Sequence, residues 1–148
     1  MDMRKNMEAE ALRMMTYGVY VLGAADNDEC AAATVAWATQ SSFEPPMVVV
    51  CVQKGRRAFP LVKRSGAFSL NFLSKGQDKI AADFYNRTRL ENGALSGHPY
   101  AYGSTGAPIL EEAPAWIEAK VVDVNEDGDH AVVIGEVADF GRHADTHA

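Results

Sequence analysis

A continuous apolar run, Met47 to Val52 (MVVVCV), stands between Pro45-Pro46 and the polar stretch Gln53-Lys54-Gly55. Six residues are too few for a globular helix, and four of these are valine. Such a segment reads as a strand buried on both faces inside a sheet. The rest of the chain must then supply neighbouring strands. Gly18 opens GVYVLGAA, rich in β-branched and aromatic residues, which predicts a strand. Asp26-Asn27-Asp28 is a polar turn, and Cys30 to Thr39 (CAAATVAWAT) follows it as the returning strand. Ala67 to Phe72 alternates as a strand does. Ala115 to Asn125 and Asp129 to Asp139 flank the turn Glu126-Asp127-Gly128, a hairpin signal.

Three short helices interrupt this pattern. Glu8 to Met15 is rich in Ala, Leu, Met and Glu, all good helix formers. Ala58 to Arg64 carries Pro60 where a first-turn proline is tolerated, and Gly66 can terminate it. Gln77 to Asn86 places Ile80, Ala81 and Phe84 on one face. Arg87 to Pro108 lacks periodicity and reads as a long loop, of the kind that is usually functional or covered by a partner. The expectation is one domain over residues 1–148, mainly β, with about six strands in an antiparallel barrel of Greek-key-like connectivity and two or three short helices.

Composition removes several functions. The chain has 14 basic and 20 acidic residues and a net charge of -6. Bulk attraction to nucleic acid or to an anionic membrane is disfavoured. No run approaches the ~20 apolar residues of a membrane helix. Cys30 and Cys51 form no CxxC pair and sit in no metal-ligand spacing. The N-terminal stretch mixes charge with apolar residues, unlike a secretory signal. A reducing cytoplasm is the expected compartment. No GxxxxGK[ST], GxGxxG, HExxH or GxSxG is present. His143 and His147 are four apart but lie in a polar terminal tail that reads as frayed, so no metal site is expected.

Four segments remain that can carry chemistry. Thr34 to Pro46 (TVAWATQSSFEPP) combines small residues with hydroxyls. Small residues let a flat ligand approach the backbone, and hydroxyls and amides can bond ring carbonyls or a phosphate. Gln53 to Arg57 (QKGRR) puts three cations within four residues at the end of the buried strand, a pattern suited to a phosphate. His130 begins a strand directly after a tight turn, where an imidazole can donate a hydrogen bond or carry a proton. Gly135 within that strand predicts a bulge or a close approach. His98, Tyr100 and Tyr102 decorate the long loop. Taken singly, each has an ordinary structural explanation.

In order, these segments resemble the flavin reductase-like, FMN-binding split-barrel proteins, which include flavoredoxins and the reductase components of two-component flavin monooxygenases. The resemblance rests on GVYVLGA, TVAWATQSSFEPPMVVVCV, SGAFSLNFLSKGQDKIAADF and GDHAVVIGEV, spanning Tyr17 to Val137. It implies a split β-barrel that dimerises and binds FMN in a cleft near the dimer interface. Carried over, Ala36, Trp37, Ala38 and Thr39 line the isoalloxazine, and Gln40, Ser41 and Ser42 continue that wall. Cys51, Val52 and Gln53 lie along the neighbouring strand end. Lys54, Arg56 and Arg57 match the region that handles the phosphate. Phe84 matches an aromatic near the site, and His130 matches a histidine beside flavin or nicotinamide. Trp37 departs from the family pattern, where many members have a small or polar residue.

The implied activity is NAD(P)H-dependent reduction of FMN, with FAD or riboflavin as other flavin substrates, NADH or NADPH as donor, and electrons passed to an acceptor. Such chemistry needs no acid–base dyad, because the cofactor carries it. Amides of the Thr39 to Ser42 loop would stabilise negative charge on the flavin's pyrimidine edge. A monooxygenase or an electron-transfer protein is the implied partner. The alternative is a flavoredoxin-type electron carrier that does not oxidise NAD(P)H itself. A haem or deazaflavin barrel, with His98 or His130 as the haem ligand, and a cofactor-free interaction domain are further readings.

Overall fold

The computed structural model describes residues 2–143. Helix α1 (Met3–Leu12) is capped by the Asp2 carboxylate, which accepts from the Arg4 amide at 3.0 Å. The cap starts the helix earlier than the expected Glu8. Strand β1 (Tyr20–Asp26) turns through Asn27, at φ 56°, into β2 (Glu29–Val35). The expected single strand Cys30 to Thr39 is two strands. It breaks at Ala36-Trp37, and β3 (Ala38–Ser42) follows. Next come β4 (Met47–Gln53), α2 (Ala58–Ser65), β5 (Ala67–Phe72) and α3 (Asp78–Asp83). Gly66 ends α2 in the left-handed region at φ 71°, as expected.

The presumed loop 87–108 is also structured. It holds β6 (Leu90–Glu91), β7 (Ala94–Leu95), β8 (His98–Tyr102) and the start of β9 (Pro108–Leu110), which form a small antiparallel sheet. Positive φ at Asn92-Gly93 and at Ser96-Gly97 makes the two tight turns. The long hairpin of β10 (Ala115–Asn125) and β11 (His130–Arg142) completes the fold. A bulge at Val122 lies next to the Val121–Gly135 pair. At Gly135 an added Cβ would come within 2.8 Å of the Ala119 Cβ and 2.9 Å of the Phe68 ring, so the strand needs glycine there.

The main sheet has the order β2-β1-β5-β10-β11-β4-β3, with every pair antiparallel. Its two edge strands, β2 and β3, are consecutive in the chain and only Ala36 and Trp37 separate them. Three Cα steps span at most about 11 Å. The edges must therefore meet, and the sheet curls into a barrel with a seam. The Cys51 amide donates to the Trp37 carbonyl across the break at 2.9 Å. This is a split barrel, as the resemblance implied.

Inward residues of the strands form the core with Phe59, Leu61 and Val62 of α2, which plugs one end. A second core lies outside β1 and β2, where Val21 and Ala32 meet Ile80, Phe84, Leu95 and Leu110. Strand β4 departs from expectation. Val48, Val50 and Val52 are buried, whereas Met47, Val49 and Cys51 are half-buried on the other face. Among the described residues, that outer face carries no second layer like the one over β1 and β2.

Candidate functional site

The seam opens into a cleft. Its inner chamber, about 270 Å3, is lined by Tyr17, Ala33 to Trp37, Cys51, Val52, Gln53, Arg56, Tyr85 and His130. Its outer chamber, about 500 Å3, is lined by Ala32, Gly55, Arg56, Arg57, Tyr85, Arg87 and Thr88. Arg56 and Tyr85 belong to both, so the two form one passage. One end has a wall of small side chains, with Trp37 and His130 beside it. The other end is cationic.

Local folding explains these placements. Arg56 stands in the turn between β4 and α2, and its Nη2 donates to the carbonyls of Phe84 at 2.6 Å and Asn86 at 3.3 Å. Burial pushes its guanidinium below its ordinary pKa, so a nearby anion would be favoured there. Arg57 Nη1 donates to the Thr88 carbonyl at 3.4 Å. Both arginines thus lean on the chain leaving α3. His130 starts β11 opposite Gln53. The Asp129 carboxylate lies 2.8 Å from His130 Nδ1, and this hydrogen bond holds Asp129 below the usual carboxylate range. The proton is thereby placed on Nδ1, and Nε2 has no hydrogen-bond partner among the described residues. The His130 ring lies 4.7 Å from that of Trp37, which is 51% exposed.

Of the residues expected at the site, Ala36, Trp37, Cys51, Val52, Gln53, Arg56, Arg57 and His130 come together in this cleft. The others do not line it. Ala38, Thr39 and Gln40 pair with Val50, Val49 and Val48, so β3 runs away from Cys51 and Gln53. They line a separate apolar pocket of about 580 Å3, with Tyr20, Phe72, Ile117 and Phe140, at the barrel's open end. Ser41 sits at the irregularity of β3 and Ser42 pairs with Met47, farther along the same course. The expected pyrimidine-edge amides of Thr39 to Ser42 are therefore on a strand leaving the cleft. Lys54 turns to the β10–β11 turn, where its Nζ donates to the Glu126 carbonyl at 2.8 Å. Phe84 is fully buried, and only its carbonyl reaches the site, through Arg56.

Sequence reasoning missed Tyr17, Tyr85, Arg87 and Thr88 as lining residues. Tyr17 and Tyr85 are 60% and 59% exposed, an unusual state for large aromatics that marks them only once the fold is known. His98, expected as a loop residue or haem ligand, is buried between two carboxylates. Its Nε2 lies 2.8 Å from Asp83 and its Nδ1 2.7 Å from Glu112, so neither ring nitrogen is free to bind haem iron. His143 is not frayed. Its Nδ1 meets the Ala113 carbonyl at 2.7 Å and its ring lies on Trp116. His147 lies outside the described residues.

Comparison with known proteins agrees with this fold. Residues 12–148 match the flavin reductase like domain. A flavin reductase of Pseudomonas putida is 32% identical over 102 residues, covering 69% of this chain and 58% of that protein. A ferric-chelate reductase (NAD(P)H) of Archaeoglobus fulgidus is 30% identical over 135 residues, covering 90% of this chain and 80% of that one. The solved NADH:FAD oxidoreductase of Streptomyces globisporus superposes with a TM-score of 0.80 at 26% identity, covering 95% of this chain and 85% of that chain. The chain spans 32% to 58% of the length of the first curated relatives it matches. A split barrel, a cationic cleft at its seam and a domain match over nearly the whole chain lead to one assignment: this protein belongs to the flavin reductase-like family.

Proposed function

We propose that this chain is an NAD(P)H-dependent flavin reductase that takes FMN in the seam cleft and passes electrons to an acceptor. The observation that carries this reading is the two-ended cleft, small-walled at Ala33 to Ala36 and cationic at Arg56, Arg57 and Arg87. FMN is a flat ring with one phosphate, and that donor set fits it. When bound, the flavin supplies the hydride-accepting chemistry. The chain's own residues bind, orient and shield. Ala36, Cys51, Val52 and Gln53 would border the ring, and Arg56 and Arg57 would meet the phosphate. Asp129 fixes His130 with Nε2 unpartnered beside Trp37, a place from which it can orient the nicotinamide or hold a proton. Names of relatives support a reduced nicotinamide as donor.

The same reading extends to assembly. Val49 and Cys51 are half-buried beside their partners Ile134 and Val132, and exposed Trp37 adjoins them. A second copy covering this face would form a homodimer at the cleft's mouth and would explain the continuous apolar run of β4. The monooxygenase reductase subunits among its relatives support an oxygenase as acceptor. No described helix is long and apolar enough to cross a membrane, and the reading places the protein in the cytoplasm.

The test is the visible spectrum of the protein with added FMN, then with NADH under anaerobic conditions. Flavin bands that bleach within seconds are expected. Bands that persist with both NADH and NADPH would mean an electron carrier fed by another protein. No shift of the FMN spectrum on mixing would remove the flavin reading.

A further inference from the structure

We propose that His98 is a positioning residue for the flavin's phosphate: as an imidazolium bridging Asp83 and Glu112, it fixes the segment whose carbonyls aim Arg56 and Arg57. The proposal rests on the flavin reading above and adds to it a residue that touches no ligand.

Helix α3 has six residues, too few to hold its own shape. Glu112, just beyond β9, ties both of its ends. At the start, Gln77 Nε2 donates to the Glu112 carbonyl at 2.8 Å. At the end, Asp83 Oδ2 lies 2.8 Å from His98 Nε2, and the Glu112 carboxylate lies 2.7 Å from His98 Nδ1. The small sheet keeps these partners in register. Leu95 pairs with His98, and the Glu111 amide donates to the Pro99 carbonyl at 3.0 Å.

Both ring contacts join a nitrogen to a carboxylate oxygen, and each needs a proton. Neutral imidazole carries one, imidazolium two. A neutral ring would turn a bare nitrogen toward a carboxylate oxygen at hydrogen-bond distance. Hydrogen bonds from His98 and then Lys79 hold Asp83 below the usual carboxylate range, so the second proton does not sit on Asp83. Lys79 Nζ lies 3.0 Å from the same Asp83 oxygen. With a charged ring the cluster balances, two cations against two anions.

From Asp83 the effect passes directly along the chain. The Phe84 carbonyl accepts from the Thr34 amide at 3.1 Å and from Arg56 Nη2 at 2.6 Å. The Asn86 carbonyl accepts from Arg56 at 3.3 Å, and the Thr88 carbonyl from Arg57 at 3.4 Å. One stretch of backbone thus aims both guanidinium groups. Their grip on a phosphate depends on direction as well as charge. Loss of the clamp would leave the Phe84 ring in the second core but loosen the carbonyls that follow it.

The test compares wild type with Glu112→Ala and Glu112→Gln. The Glu112 side chain is 44% exposed, so both variants should fold, and thermal unfolding checks this. Dissociation constants for FMN and riboflavin come from quenching of flavin fluorescence. Glu112→Ala should bind FMN about fivefold more weakly, a size usual for a residue that acts through others. Riboflavin should stay within a factor of about two. Glu112→Gln keeps an acceptor for the ring and should fall between Glu112→Ala and wild type. Removing a negative charge by itself favours an anion, so a plain electrostatic effect has the opposite sign. Nitrogen NMR of wild type at neutral pH should show both His98 ring nitrogens protonated. A bare His98 nitrogen, FMN affinity unchanged or raised in Glu112→Ala, or an equal loss for FMN and riboflavin overturns the clamp and leaves the flavin reading standing. Failure of wild type to bind FMN overturns both.

Discussion

The barrel has two openings of opposite chemistry, and one short stretch of sequence feeds both. Residues 33–37 line the seam cleft, whereas Ala38, Thr39 and Gln40 line the apolar pocket at the open end. The division falls at Ala36-Trp37, where the chain leaves one sheet edge and joins the other. The cleft has cations with few partners. The open end is continuous with the core, through Leu70 and Val48. Apolar lining that belongs to the core serves stability, while desolvated charge at a seam serves a ligand. Substitutions in the two regions should therefore affect different measurements.

The largest effect is expected at the open end. Leu70 is 3% exposed. Leu70→Ala removes buried methyl groups and should destabilise the fold by about 2–5 kcal/mol. Thermal unfolding should show a fall of roughly 10 °C. The dissociation constant for FMN, measured well below the transition, should hardly move. A large loss of flavin affinity without loss of stability would erase the distinction between the two openings.

Arg56→Ala should do the reverse. The guanidinium faces both chambers and is partly desolvated. Its loss should weaken FMN binding by about 1.5–3 kcal/mol, or roughly 10- to 100-fold. Some stability is lost too, because Arg56 also holds the Phe84 and Asn86 carbonyls. Riboflavin, which lacks the phosphate, separates the two effects. Its affinity should be nearly the same for variant and wild type, and an equal loss for riboflavin and FMN would assign Arg56 to loop support alone.

This contrast also locates what the sequence could reveal. Strands β1, β4, β5, β10 and β11 were legible because each is long enough to show its pattern, and α2 because Pro60 and Gly66 mark its ends. The sheet within 87–108 was not, because strands of two residues carry no period. Its turns were visible as Asn92-Gly93 and Ser96-Gly97, and those dipeptides could have flagged it. Part of the cleft's lining followed from local chemistry, since Gln53 to Arg57 ends a recognisable strand. The residues that fall outside the cleft followed from reading Cys30 to Thr39 as one strand that carries its hydroxyl-rich end into the same wall. No propensity rule breaks a run of Ala, Thr and Val at Ala36. The break is imposed by closure of the sheet, a long-range event. Arg87 and Thr88 enter the site for the same reason, brought to β2 by α3 packing on the second core.

His130→Ala sharpens the comparison within the cleft itself. His130 and His98 each begin a strand and each meet a carboxylate, yet only His130 keeps a ring nitrogen without a partner. Turnover with NADH should fall by about tenfold, less than the ~100-fold or more expected for loss of a full general acid–base group. FMN affinity should stay within a factor of about two, or roughly 0.4 kcal/mol. Wild-type turnover in the variant would remove His130 from the mechanism.

The smallest effect concerns the two thiols, one in each kind of environment. Cys30 is 3% exposed in the second core, and burial pushes its thiol to about 11. Cys51 is half-buried on the cleft wall, and burial raises its thiol as well. Only the thiolate reacts, so a raised pKa lowers the reactive fraction at any pH below it. A maleimide reagent near pH 8 should therefore label Cys51 slowly and leave native Cys30 untouched. Raising the pH should speed Cys51 labelling, because the thiolate fraction rises. Saturating FMN should slow it by a few-fold, since the ring would lie against the same wall, while unfolding should expose both thiols equally. Cys51 labelling indifferent to FMN would place the ring elsewhere in the cleft. Cys30 labelling in the folded protein would mean that the second core opens more readily than its packing allows.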